Sequence, residues 1–230
     1  GKAYIFYAQG RTSIKKPLVI IEGFDPFNEV NYRTIYSLVN QKYQLADLVR
    51  QQGYDLIILD FDKGNDYIQR NAFVLVGLIG KLITVKDKNE KIALIGASMG
   101  GLIVRYALAF MESQNIDHQT NLMISFDSPQ AGANIPLGLQ HFLSYFARYS
   151  GAEAIRNQIA YVLDSPASRQ MLVYHYNWAG GEGDKAQCDP MRTKLISELN
   201  QYKNYPSKNI RKVAIANGSG KGETFYEPHT

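Results

Sequence analysis

Cysteine is almost missing from this 230-residue chain. Cys188 stands alone, which excludes an intrachain disulfide and leaves the redox compartment open. It lies in a polar stretch with no histidine near it in sequence and reads as a bland thiol. Concentrated charge is missing too. The 25 Lys and Arg exceed the 21 Asp and Glu by only four, and the basic groups at 15–16, 86–91 and 208–212 are short and interrupted. That pattern reads as a solvated surface rather than a nucleic-acid footprint, which needs clustering on one face, so no nucleic-acid partner is expected. The longest apolar run, Ala72 to Val85, reads as too short and too interrupted to span a bilayer, so no integral membrane segment is expected. No His/Asp spacing suited to a metal occurs, and GSGKG at 218–222 lacks the phosphate-loop pattern, so no metal or organic cofactor is implied. A signal peptide is also missing. The chain begins at Gly1, almost inside a strand-like segment, as a processed chain does, which is compatible with secretion or a periplasmic location after signal removal.

What is present is an ordinary globular composition, 45% hydrophobic and 20% charged, in a chain long enough for a full core. Ala3 to Ala8 reads as a strand. Pro17 opens a second, Leu18 to Ile21, which runs into the Glu22-Gly23-Phe24-Asp25-Pro26 turn. Ile35 to Gln52 has helical spacing at Leu38, Leu45, Leu48 and Val49 and stops at Gly53. Tyr54 to Phe61 is a buried strand, and Asp66 to Lys86 a long apolar helix. Ile92 to Ala97 and Leu122 to Phe126 are further strands, with a helix between them. Unbroken apolar runs alternating with helices predict a mostly parallel sheet covered on both faces, an α/β three-layer sandwich. Pro136 to Leu163 and Ser165 to Tyr176 read as two consecutive helices forming a cap, inserted at about 136–178. A helix at Pro190 to Gln201 and a last strand at Ile210 to Ala216 follow. With no internal repeat and no linker, residues 1–230 read as a single domain, to which one more carboxy-terminal strand would belong.

The stretch IALIGASMGG, Ile92 to Gly101, organises the rest. An apolar strand enters Gly-Ala-Ser-Met-Gly, and GLIVRYALAF continues as a helix. This is the strand–turn–helix setting that a G-x-S-x-G nucleophile requires. The turn forces strain on Ser98 and crowds the positions two residues to either side, where only Gly96 and Gly100 fit. It also sets Ser98 at a helix amino end, which favours developing negative charge. A glycine-rich turn without chemistry is the bland alternative, and the flanking apolar strand and helix weigh against it.

Acyl transfer needs a nucleophile, a base, an orienting acid and oxyanion donors. The backbone N–H of Met99, next after Ser98, is one expected donor, and that of Phe24 in the Glu22-Gly23-Phe24 turn is the other. Asp127, at the end of the strand after the Ser98 helix, is a candidate acid, and equally an aspartate that orders an Asp-Ser-Pro turn. Glu223 and Glu227 follow the last strand. Four histidines exist: His118, His141, His175 and His229. Only His229 follows the last recognisable strand, where the order Ser, acid, His would place the base, and a base beyond Thr230 fits equally.

The segments LVIIEGFDP, IALIGASMGG and LMISFDSPQAGANIP resemble the α/β-hydrolase superfamily, in particular its lipase-like and GPI-inositol-deacylase-like serine esterases. The likeness runs from about Pro17 to Pro136. GFDP and DSP-x-x-GAN-x-P also resemble a group of bacterial hydrolases. Glu22 and Gln130 stand where the family usually has histidine. The resemblance implies a serine hydrolase cleaving a carboxylic ester through an acyl-enzyme on Ser98, its substrate a small-molecule or lipid-like ester. Aromatic residues Phe24, Phe27, Tyr145, Phe146 and Trp178 would contribute to a hydrophobic site. A non-catalytic binding protein on a hydrolase fold, or an acyltransferase, are the alternatives.

Overall fold

The computed structural model describes residues 1–149, 153–180, 186–207 and 209–217. The unbroken apolar runs become inner strands. β2 (Pro17–Ile21) is buried at every position, and β3 (Asp55–Asp60) and β4 (Ile92–Ala97) nearly so. With β1 (Lys2–Phe6), β5 (Thr120–Phe126) and β6 (Arg211–Ile215) they form a six-stranded sheet in the order β1-β3-β2-β4-β5-β6. β1 runs antiparallel to β3 and every other pairing is parallel. In register, Val19 lies beside Ile57 on one side and Leu94 on the other. The period of two then sorts the side chains. Val19, Ile21, Ile57, Leu59 and Leu94 point into one core layer, and Leu18, Ile20, Leu56, Ile58 and Ala93 into the other.

The first layer packs under α3 (Ile68–Val85), α4 (Met99–Ser113) and α8 (Pro190–Gln201). α4 is almost wholly buried. α3 is longer than the apolar run read from the sequence. Its 18 residues and mean hydropathy of 1.4 suffice by length and composition to cross a bilayer. Here Ile68, Ala72, Leu75, Ile79 and Leu82 are buried in the core.

On the other face the expected single helix at 35–52 is two helices, α1 (Tyr32–Asn40) and α2 (Leu45–Gln51), separated at Gln44, whose φ is 48°. Asn31 caps α1 by accepting from Arg33 N and Thr34 N. Asp47 of α2 accepts from the Tyr36 hydroxyl (2.7 Å) and Asn40 Nδ2 (2.9 Å), fastening the pair. Helical spacing counted across this break does not mark one face. Leu38, Leu45 and Leu48 are about half exposed, and Ile35 and Ala46 are the buried residues.

Between β5 and α8 the two expected helices are shorter and more numerous. α5 (Leu137–Tyr149) is followed by α6 (Glu153–Gln158), a wide π turn at Ile159–Leu163, α7 (Pro166–Met171) and a 3-10 turn at Tyr176–Trp178. Ser165 accepts from Ser168 N and Pro166 opens α7, a start signal that divides the segment.

Glycines separate packing from propensity. A Cβ on Gly80, exposed within α3, would meet nothing within 4 Å, whereas one on Gly96 would overlap the Gly100 carbonyl and Gly101 N. Gly80→Ala should therefore raise stability by about 0.5–1 kcal/mol through helix propensity. Gly96→Ala should lower it by about 1–3 kcal/mol or more through overpacking. Urea unfolding of the two variants checks both signs.

Candidate active site

β4 ends at Ala97 and α4 begins at Met99, so the whole reversal is made at Ser98, with φ 50° and ψ −127°. This is sparsely populated for a residue with a side chain and costs on the order of 1–3 kcal/mol. Ser98 is exposed while Met99 and Gly100 behind it are buried. Ser98 N donates to Phe126 O at 2.9 Å, and Gly101 N to Ser98 O at 3.1 Å. The first-turn N–H groups of α4, Met99 among them, have no helical acceptor four residues back. Gly100 admits the end of β2, for a Cβ there would lie 2.6 Å from Ile21 O and 2.7 Å from Glu22 O. Gly101 admits Ser128, whose Oγ would overlap such an atom.

The loop after β2 lies directly against this turn. A Cβ on Gly23 would stand 3.3 Å from Ala97 O and 3.5 Å from Ser98 Cβ. Two buried acids hold the loop. Asp25 accepts from Glu29 N (3.1 Å) and Val30 N (2.8 Å), and its own N–H donates to Gly64 O (3.3 Å). Glu22 accepts from Phe61 N at 2.6 Å. Burial pushes the Glu22 carboxyl up to about 8, the Phe61 N–H opposing the rise and the neighbouring charges of Asp60 and Asp25 adding to it.

On the other side of Ser98, Asp127 also has positive φ (45°) and its N–H donates to Ile215 O at 2.6 Å. Its carboxylate accepts from Asn217 N at 3.3 Å. It is exposed and shares a cavity wall with Ser98. Gln130 is tied down by buried Arg105, which donates to Gln130 O (2.9 Å) and to Asn204 O (2.8 Å) and lies 4.0 Å over the Tyr205 ring.

That cavity, about 510 Å³, is bounded by Phe24, Ser98, Asp127 and Pro129 at one end. Ile135, Val162, Leu163, Met171 and Leu172 of the helical segment form its apolar wall. Of the aromatics expected to build a hydrophobic site, Phe24 alone lines it. Phe27, Tyr145, Phe146 and Trp178 are each at least 40% exposed, and the Trp178 indole N–H is engaged by Asp189 at 3.0 Å. The wall is aliphatic and comes from residues that the sequence offers as ordinary helix core.

The described histidines lie elsewhere. His118 Nδ1 accepts from Thr120 N at the amino edge of the sheet, and its Nε2 is 3.2 Å from Glu112. His175 is fully buried, with Nδ1 accepting from Asn177 N (3.3 Å) and Nε2 on Leu163 O (3.1 Å). His141 meets the Tyr176 ring edge-on from an exposed position on α5. None of the three lines the cavity. His229, Glu223 and Glu227 fall outside the described residues.

Residues 73–165 match a family described as "Putative serine esterase (DUF676)". No curated protein matches the chain. Among solved structures, a Bacillus licheniformis lipase in its propeptide form is similar at 16% identity and a TM-score of 0.55, covering 93% of this chain. This chain spans only 38% of that lipase's length. A metagenomic carboxyl esterase is similar at 13% identity and a TM-score of 0.45, covering 90% of this chain and 53% of that one. The fold is that of the α/β-hydrolases.

Glu22 gives the site a measurable signature. A carboxyl raised from an ordinary 4.5 to about 8 favours the folded state fully below about 4.5, and this contribution is lost as pH rises toward 8. The unfolding midpoint should therefore fall between pH 5 and 8. Glu22→Gln should flatten that slope and leave the variant melting above the parent at pH 8. Thermal melts across the range read both.

Proposed function

We propose that this chain hydrolyses carboxylic esters, with Ser98 as nucleophile. The observation that carries the reading is an exposed serine in a strained strand-to-helix turn, facing an apolar cavity beside a second backbone loop. In this reading IALIGASMGG is a nucleophile elbow. Ser98 Oγ attacks the ester carbonyl carbon, the C=O electron pair moves onto oxygen, and the Phe24 and Met99 N–H groups hold the oxyanion. A histidine takes the Ser98 proton and returns it to the departing alcohol. Water then attacks the acyl-enzyme with the same histidine as base, releasing the acid and restoring Ser98. Asp127 is the acid candidate closest to hand. The base is His229 or a histidine that follows Thr230.

The same reading treats residues 1–230 as one hydrolase domain with a cap at about 136–178, completed by a further carboxy-terminal strand. The aliphatic cavity wall fits the acyl part of an ester better than a charged group, because an ion there would lose its hydration without a partner. A second reading, a binding protein on a hydrolase fold, is favoured by one observation: none of the three described histidines faces Ser98.

A fluorophosphonate probe separates the two. In the intact natural protein Ser98 should be the labelled residue, and Ser98→Ala should not label. An unlabelled Ser98 favours the binding reading. Substrate preference tests the wall: Leu163→Trp or Met171→Trp should lower kcat/KM for a p-nitrophenyl octanoate by about tenfold relative to the acetate. That is the size of effect expected when a pocket loses room for a few methylenes.

A further inference from the structure

We propose that Glu22 is a positioning residue for the reaction, its carboxyl on the Phe61 N–H setting the Gly23–Phe24 backbone against Ser98. The proposal rests on the ester-hydrolase reading of Ser98. Glu22 joins the end of β3 to the first turn of α4. Its N–H donates to Leu59 O of β3 at 3.2 Å, and its carboxyl accepts from Phe61 N just beyond that strand. Its carbonyl occupies the space that Gly100 leaves in the first turn of α4, and the residue after it, Gly23, lies against Ser98. The side chain is therefore the strut between the end of β3 and the loop whose Phe24 N–H is a proposed oxyanion donor. Such donors must be placed to within about half an ångström.

The carboxyl itself is unusual. Glu22 is 3% exposed, and among the described residues its Oε1 has no hydrogen-bond partner. The charges facing it are acidic: Asp25 on its own loop and Asp60 on β3, with Asp62 and Lys2 reaching Asp60 behind it. The first turn of α4, Met99 to Leu102, brings no charged side chain. No cation lies within ion-pair distance of Glu22 among the described residues. A neutral carboxyl is the form such surroundings favour. Ionisation adds a third negative charge to the cluster, two residues from the donor to a developing oxyanion, and so opposes the transition state.

The test uses the intact natural protein, with p-nitrophenyl ester turnover and fluorophosphonate labelling followed from pH 6 to 10 against a Ser98→Ala blank. The parent should lose kcat as pH climbs past about 8. Glu22→Gln keeps an acceptor for the Phe61 N–H and cannot ionise. It should hold neutral-pH kcat within about threefold and lose the alkaline fall. Glu22→Ala should drop kcat by about 10- to 100-fold with KM within about twofold, an effect comparable to a misplaced oxyanion donor. A parental alkaline limb unchanged in Glu22→Gln overturns the proposal, as does parental kcat in Glu22→Ala. Should Glu22→Ala fail to fold, the Glu22→Gln profile decides alone. A parent that never labels at Ser98 removes the ester-hydrolase reading and this role together. A labelled parent with insensitive Glu22 variants removes this role only.

Discussion

Three backbone segments meet around Ser98 at separations that no side chain permits. The α4 turn folds onto the β4 strand over Gly96, the end of β2 reaches the helix at Gly100, and Ser128 enters at Gly101. The first two are close approaches of main chain to main chain and the third of a serine side chain to main chain, so each missing Cβ decides whether an element can occupy its place. The positive φ at Ser98 follows from them. A gentler turn would lift α4 away from the sheet and uncover its buried residues, Leu102 to Ala109 among them. Burial on this scale, at roughly 25 cal/mol per Å² of apolar surface, exceeds the strain of one residue by a wide margin. The core thus holds Ser98 in a conformation it would not adopt alone.

The two edges of the sheet are finished by the same device with different results. At the amino edge Asp55, fully buried, accepts from Ala8 N (2.9 Å), Lys15 N (2.6 Å) and Lys16 N (2.9 Å), closing the entry to β2. At the carboxyl edge Glu22 and Asp25 receive backbone N–H groups in the same manner. Asp55 has its donors distributed over both oxygens. Glu22 has one oxygen engaged and the other without a partner. An incompletely satisfied buried group is a cost that packing alone does not require. It occurs here one residue from the loop that abuts Ser98.

Legibility in the sequence follows the range of the interactions involved. The strands were readable because a sheet covered on both faces demands unbroken apolar runs, as PLVII and DLIILD are. The Ser98 turn was readable because its requirements lie within ten residues. The break at Gln44 was not, since the side-chain bonds from Asp47 to Tyr36 and Asn40 that hold it look in sequence like ordinary helix surface. The cavity wall was not either. Hydrophobicity and size favour the large aromatics, yet those of α5 turn outward while Val162, Leu163, Met171 and Leu172 turn inward. The tie from Glu22 to Phe61 spans 39 residues and leaves no local trace.

The outward aromatics have a physical cause in a single polar residue. Gln140 is fully buried in α5; its Nε2 donates to Ile135 O (2.8 Å) and Tyr174 O (3.1 Å), and its Oε1 accepts from Tyr176 N (3.0 Å). Three backbone groups of two separate connections are satisfied by one amide, and with Gln140, Ser144 and Ala147 facing inward, Phe142, Tyr145, Phe146 and Tyr149 are left facing out. The inner side of this helix is fixed by hydrogen-bond geometry, and not by its aromatic residues. Ile135, one of the residues whose carbonyl Gln140 binds, lines the cavity, and so does Leu172, next to the Tyr174 connection. The shape of the cavity beside Ser98 is in this way held by a polar clamp outside it. The apolar residues that face the cavity are consequently freer to vary in size than the glutamine behind them.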